Sequence, residues 1–420
     1  LNRWLTKADP LLTYAATALL ASGAATLAPE RWFGVAWLVI ALVLAELYQR
    51  FNLTEFRYQT AALGALAVFV NLLLGIGDGA AHRNTVVTVE TLSALLCYGI
   101  AFRLQGRDEL LRMGASWGGT LLAACAIWTA LPREFVALGW AALSAILLER
   151  GVRTESKLLR LQAHLLFLAA FVHVFLENLI PDGVTPAWPQ LLTVAPLILL
   201  AIWGRYRTPE SDPRVAYSWA AVLITVALVR RQLALGPTLT CWAAIMVALS
   251  VLHRRFSLRE CRYQSFFTGL LTYAGASYFM FDASEPNLAV RLASVASVIA
   301  AFHAVQFLST WEDRARGAFA LAGSTLLAML LYQESSGNLL TISWGAQAVL
   351  TLGAGFATRE RLLRLTGLAL FFVCILKLFL YDLRELDTLG RIVSFIVLGL
   401  VLIGASWLYM RFKNQIQKYL

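Results

Sequence analysis

"WAALSAILLERGVRTESKLLRLQ", residues 140 to 162, opens on a tryptophan in an apolar run and then gathers Glu149, Arg150, Arg153, Glu155, Lys157 and Arg160 in a chain that is otherwise almost uniformly greasy. The spacing is not local. Trp37, Trp140, Trp242 and Trp344 follow one another at separations of 103, 102 and 102, and twenty residues after each stands an arginine: Arg57, Arg160, Arg262 and Arg364. Arg50, Arg153 and Arg255 fall thirteen residues after their tryptophan, and Gln59, Gln162 and Gln264 twenty-two after. Self-similarity at a fixed period marks a repeated architecture. The quoted stretch is one copy of a recurring element.

Composition decides the class. The chain has 420 residues, 59% of them apolar and only 14% charged, with a net charge of +10. A soluble domain needs more charge than this to cover its surface. Each repeat divides into four apolar segments of about 16 to 22 residues, the length that crosses a hydrocarbon core. The expected fold is therefore an all-α integral membrane protein of about sixteen transmembrane helices. They form four parallel four-helix repeats over residues 1–104, 105–205, 206–309 and 310–420, the last ending in a basic tail. The sixteenth span is expected at 390–411. "GIGDGAAHRN", "IPDGVTPAWP" and "ASEPN" supply the breaks between spans.

Orientation follows from the cations, which are retained on the cytoplasmic side. With residue 1 inside, the inner face collects 26 of the 35 Lys and Arg and the outer face nine. Both termini are then cytoplasmic, the quoted stretch is a cytoplasmic turn, and an even helix count makes the units parallel. The N-terminal "LNRWLTKADPLLTYAATALLASGAATLAPE" has the look of a signal peptide, but it stands where the first repeat needs its first helix and is read as retained. The basic turns are short and separate. They suit topology and anionic headgroups, so membrane lipids and other membrane subunits are the expected partners and nucleic acid is not.

The run "LLRLTGLALFFVCILKLFLYDLRELDTLGRIVSFIVLGLVLIGASWLYMRFK", residues 362 to 413, carries Lys377 and Asp382 five apart, then Arg391, Ser394, Phe395, Gly399 and Tyr409 before a basic tail. In these features it resembles the end of the bacterial membrane proteins grouped as domain-of-unknown-function family 2339. The rest of the chain is similar to that family only through its repeated helix pairs and their tryptophan-then-arginine spacing. The resemblance implies a multi-pass protein of the inner membrane and brings no activity with it. It also implies a soluble or coiled-coil segment ahead of the helices; a chain that opens at Leu1 is expected to be a piece of something longer.

Function must be sought in ionisable groups inside the spans, which are costly there. In "LQAHLLFLAAFVHVFLENLI", His173 and Glu177 are four apart and share a helix face, while His164 is on the opposite face. Lys377 stands thirty-three residues after Trp344, the offset of His173 from Trp140; the first and third repeats have Val70 and Gly275 there. His173, Glu177, Lys377, Asp382 and Arg391 are therefore expected to line one outward-facing site for protons or an anionic headgroup. The bland alternatives are a packing pair for His173 with Glu177 and snorkelling for Lys377. Glu90, His303 and Gln306 read as isolated interhelical hydrogen bonds. The eight repeated Trp and Arg residues read as packing and interfacial anchors.

Cys97, Cys125, Cys241, Cys261 and Cys374 lie far apart in apolar stretches, and no P-loop, GxSxG, HExxH or GxGxxG is present. No metal or cofactor is expected, and an enzyme is less expected than not. Three classes remain open: a transporter or channel-like component, a non-catalytic scaffold or assembly subunit, and a lipid- or polyprenol-handling enzyme.

Overall fold

A computed structural model describes residues 10–29, 31–77, 82–179, 187–281, 288–308, 313–335, 338–358 and 360–378, with isolated positions beyond. Among these residues all regular structure is helical. There are fifteen α-helices: α1 Pro10–Leu27, α2 Phe33–Phe51, α3 Thr54–Gly77, α4 Arg83–Arg103, α5 Glu109–Ala130, α6 Arg133–Arg153, α7 Lys157–His173, α8 Ala187–Arg207, α9 Ser211–Gln232, α10 Leu235–Phe256, α11 Arg259–Phe281, α12 Leu288–Leu308, α13 Asp313–Glu334, α14 Asn338–Ala357 and α15 Arg361–Lys377. The span expected at 390–411 lies outside the described residues.

Ten of these helices are long and apolar enough to cross a membrane, and α1 is a shorter apolar helix. Their outward faces carry Leu95, Leu110, Ile146 and Leu350, all more than 60% exposed. Apolar surface so spread is at odds with water and suits lipid. The chain is a multi-pass membrane protein.

Contacts divide it into two units, residues 1–232 and 233–420, a boundary that falls inside the expected segment 206–309. In the first unit α2 packs on α3, α4 on α5, α6 on α7 and α8 on α9; in the second, α10 packs on α11, α12 on α13 and α14 on α15. The first unit has two apolar cores. One is built on Leu38, Ala41, Leu63, Cys97 and Leu122, the other on Ala141, Leu148, Phe167, Leu197 and Ile224. The second unit closes around Leu239, Met246, Phe279, Val298, Phe302 and Leu326.

The turns between paired helices are set by local chemistry. Asn52, Glu155 and Ser257 adopt left-handed backbone at φ 55, 53 and 54°, each fifteen residues after its repeated tryptophan. One left-handed residue ends a helix and frees the chain to reverse. Ser156 Oγ then accepts from the Leu159 N–H at 3.5 Å, and Asp108 Oδ1 from the Leu111 N–H at 3.1 Å, capping α7 and α5. Gly151 lets α6 approach α7 closely: a Cβ there would sit 2.8 Å from Arg160 Cγ and 2.9 Å from its backbone N. Gly355 meets Arg364 in the same way, at 2.7 Å from each atom.

Candidate functional site

The repeated tryptophans set the frame around the ionisable groups. Trp37 Nε1 donates to Ala21 O, Trp140 Nε1 to Ala124 O and Trp344 Nε1 to Ala328 O, at 2.8, 2.8 and 2.9 Å. Each acceptor lies sixteen residues back, on the preceding helix. The indole N–H, otherwise unsatisfied in an apolar interior, thus fixes the register of neighbouring helices. Twelve residues before Trp140 and Trp344 stand Trp128 and Tyr332, whose rings stack on them at 5.7 and 6.3 Å with interplanar angles of 24 and 23°.

His173 enters this frame at the end of α7. Its ring lies 5.4 Å from both Trp128 and Trp140, edge-on to each, and the residue is 6% exposed. Neither ring nitrogen has a hydrogen-bond partner among the described residues. Past His173 the chain continues into a π-helical turn, Val174–Leu179, wider than an α-turn. His173 is buried against the tryptophans while Glu177 is half-buried, and no hydrogen bond joins them. Asn178 uses the same turn to donate to Glu134 O and Thr193 Oγ1, both at 3.0 Å.

Beside the tryptophans, α5, α6 and α7 leave a cleft of about 480 Å³, lined by Trp117, Thr120, Trp128, Trp140, Gln162 and Leu165 among others. Its polar floor is satisfied internally. Gln162, 0% exposed, donates to Ser116 Oγ at 3.0 Å, and its Oε1 is 3.1 and 3.2 Å from the Ser116 and Thr120 hydroxyls. Gln59 repeats the arrangement with Thr13 and Thr17, at the same sequence offsets of 46 and 42 residues. In the second unit, Phe266, Tyr273, Phe302 and Phe319 line a cleft of about 340 Å³ between α11, α12 and α13.

Lys377, at the end of α15, donates to Thr341 Oγ1 on α14 at 2.6 Å. Asp382 and Arg391 lie outside the described residues. His164 Nδ1 is 3.1 Å from the Tyr217 hydroxyl. His303 and Gln306, expected to bond between helices, meet each other on α12 at 3.4 Å. Glu90 is 1% exposed, and its Oε2 lies 2.9 Å from Thr129 Oγ1 on α5.

Two of the four repeated arginines have carboxylate partners that sequence spacing did not suggest. Arg57 ion-pairs with Asp108, and Arg160 Nε donates to Glu210 Oε1 at 2.6 Å. Arg262 Nε is buried with no partner among the described residues, and the Arg364 guanidinium stacks over Phe356 at 5.6 Å. Asp108 stands in the turn between α4 and α5. Burial works against its charge, but hydrogen bonds from Arg57 and the Leu111 N–H outweigh it and hold the carboxyl below its ordinary range. What sequence reading missed most plainly is Trp128 and Tyr332, although the signal was present: aromatic residues at one fixed offset before two repeated tryptophans.

Helices of spanning length, lipid-suited faces and ionisable groups held between them define a multi-pass membrane protein. The family described as predicted membrane protein (DUF2339) matches residues 1–412, and the chain belongs to it. The match covers nearly the whole chain rather than the C-terminal stretch alone. No curated protein and no solved structure matches it.

Proposed function

We propose that this protein is a transporter or channel-like component of the bacterial inner membrane that handles protons or an anionic headgroup, with His173 and Glu177 as the polar groups of the first unit that serve this and Lys377, Asp382 and Arg391 as those of the second. The observation that carries the reading is His173. It is an ionisable ring within a candidate span, walled by two tryptophans, whose nitrogens have no hydrogen-bond partner among the described residues. A buried polar group without a partner costs about 1–3 kcal/mol, so its retention argues for a task.

The architecture in this reading is four parallel four-helix units with both termini cytoplasmic. Its supports are the three indole-to-carbonyl bonds at one offset, the three left-handed residues at another, and the matched hydroxyl partners of Gln59 and Gln162. Cations crowd the turns at α2–α3, α6–α7 and α10–α11, as cytoplasmic turns should.

Replacing Glu177 by Gln and Lys377 by Met tests the function. In proteoliposomes holding a pH-sensitive dye, both variants should lose most of the wild-type proton flux while reaching the membrane at normal levels. Wild-type flux in both variants would remove these residues from any site. One observation favours the second reading, a non-catalytic scaffold: Gln59, Gln162 and Lys377 are each satisfied by a neighbouring helix, as packing residues would be. A scaffold would show no flux in the wild type either.

A further inference from the structure

Glu90 stands seven residues into α4, roughly 10 Å along the helix axis from Arg83 and inside a candidate span. It is the most buried acid among the described residues, at 1% exposure. Its surroundings are small or neutral. A Cβ on Gly75 of α3 would overlap Oε1, so glycine there makes the room the carboxyl occupies. Asn71, one turn before Gly75, donates to Ser93 at 2.9 Å, one turn after Glu90. The groups able to carry charge nearby are Cys125 on α5, whose side chain is part-buried, and Arg83 on α4. The Arg83 guanidinium is spent elsewhere: it donates to Thr129 O and Ala130 O at 2.6 and 2.9 Å, at the end of α5. No ion pair joins Glu90 to a described residue.

Thr129 decides where the hydrogen lies. Its Oγ1 is 2.9 Å from Glu90 Oε2, 3.0 Å from Cys125 O and 3.1 Å from Ala126 O. A hydroxyl has one hydrogen, and helical threonine commonly gives it to a carbonyl of the preceding turn. Oγ1 then has only lone pairs to offer the carboxyl, and the short contact needs a hydrogen on Glu90. An ionised carboxylate in hydrocarbon with no cation and at most one donor would be far more costly.

We propose that Glu90 is a proton-binding site within the membrane, a neutral carboxylic acid that donates through its O–H to Thr129 Oγ1, which donates onward to the α5 backbone. The ligand is a proton. Its loss would leave a charge that only a rearrangement of α3, α4 and α5 or entry of water could solvate, so exchange at Glu90 is tied to opening between those helices. The proposal does not rest on the His173 reading.

Infrared spectroscopy of the full chain in bilayers of ether-linked lipid, which has no ester carbonyls, tests it, because at about pH 7 ordinary carboxyls are ionised and the carbonyl-stretch region of neutral acids is then nearly empty. The wild type should show a neutral-acid band at about pH 7, where an ordinary glutamate is ionised, and Glu90→Gln should abolish it. Thr129→Val, which removes the acceptor and keeps the shape, should keep the band and move it to higher wavenumber. It remains decisive if Glu90→Gln does not accumulate. An unchanged spectrum in Glu90→Gln, a band that titrates away near the ordinary carboxylate range, or a band that Thr129→Val does not move would each overturn the proposal.

Discussion

The Arg160 guanidinium reaches the Glu210 carboxylate at 2.6 Å across fifty residues of sequence, tying the start of α7 to the turn before α9. Arg57 is tied to Asp108 in the same way across fifty-one. Asp108 also caps α5, so Asp108→Ala removes a cap and an ion-pair partner together. It should lower unfolding stability by about 2 kcal/mol, and Glu210→Ala, whose carboxylate is partly exposed, by under about 1 kcal/mol. Thermal unfolding in detergent measures both. Equal losses would remove the capping argument.

The same pair has a pH signature. The folded Asp108 carboxyl is held below its ordinary range, so its stabilisation is present in full above the unfolded value, about 3.9, and is lost as pH falls through the lower folded value. The stability gap between wild type and Asp108→Ala should hold from about pH 7 to 5 and narrow only in stronger acid. A gap already closing near neutrality would contradict the assignment.

Trp140 makes two separable contributions. Trp140→Phe removes the N–H that meets Ala124 O but keeps an aromatic wall for His173, and should cost about 1 kcal/mol. Trp140→Ala removes both and should cost about 3–5 kcal/mol. Denaturant titration of the two variants side by side reads the difference; similar costs would mean the hydrogen bond dominates.

Gly151 is placed by space rather than by backbone angle. Gly151→Ala would push a methyl into the Arg160 backbone on α7 and should destabilise by about 1–3 kcal/mol, whereas Gly114→Ala, which meets nothing within 4 Å, should be neutral or slightly stabilising. A thermal-shift comparison of the two checks this.

Topology is tested from outside the cell. In a background with the native cysteines replaced, an impermeant thiol reagent should label cysteine placed at Gly183 or Ser336 and miss it at Ser156 or Ser257. Gly183 and Ser336 lie outside the described residues. The reverse pattern would invert the proposed orientation.

The helical, membrane-spanning character of the chain and the turns between its helices were legible in sequence, because hydrophobic length and charge placement act locally and repeat along the chain. Glu149, Arg153 and Lys157 mark a turn whether or not the neighbours of α6 are known. The period of the tryptophans likewise points to equivalent places. It does not say what each indole touches.

Partnerships across helices were decided only by tertiary structure. Arg57 with Asp108, Gln162 with Ser116 and Glu90 with Thr129 join residues 51, 46 and 39 positions apart, and nothing in the sequence between them records the meeting. The environment of His173 is likewise set by Trp128 and Trp140, 45 and 33 positions away on two other helices. Periodicity carries information about which face a residue occupies. What that face meets is set by the packing of several helices at once, where each carboxyl, amide and indole must find its hydrogen bond inside an apolar medium.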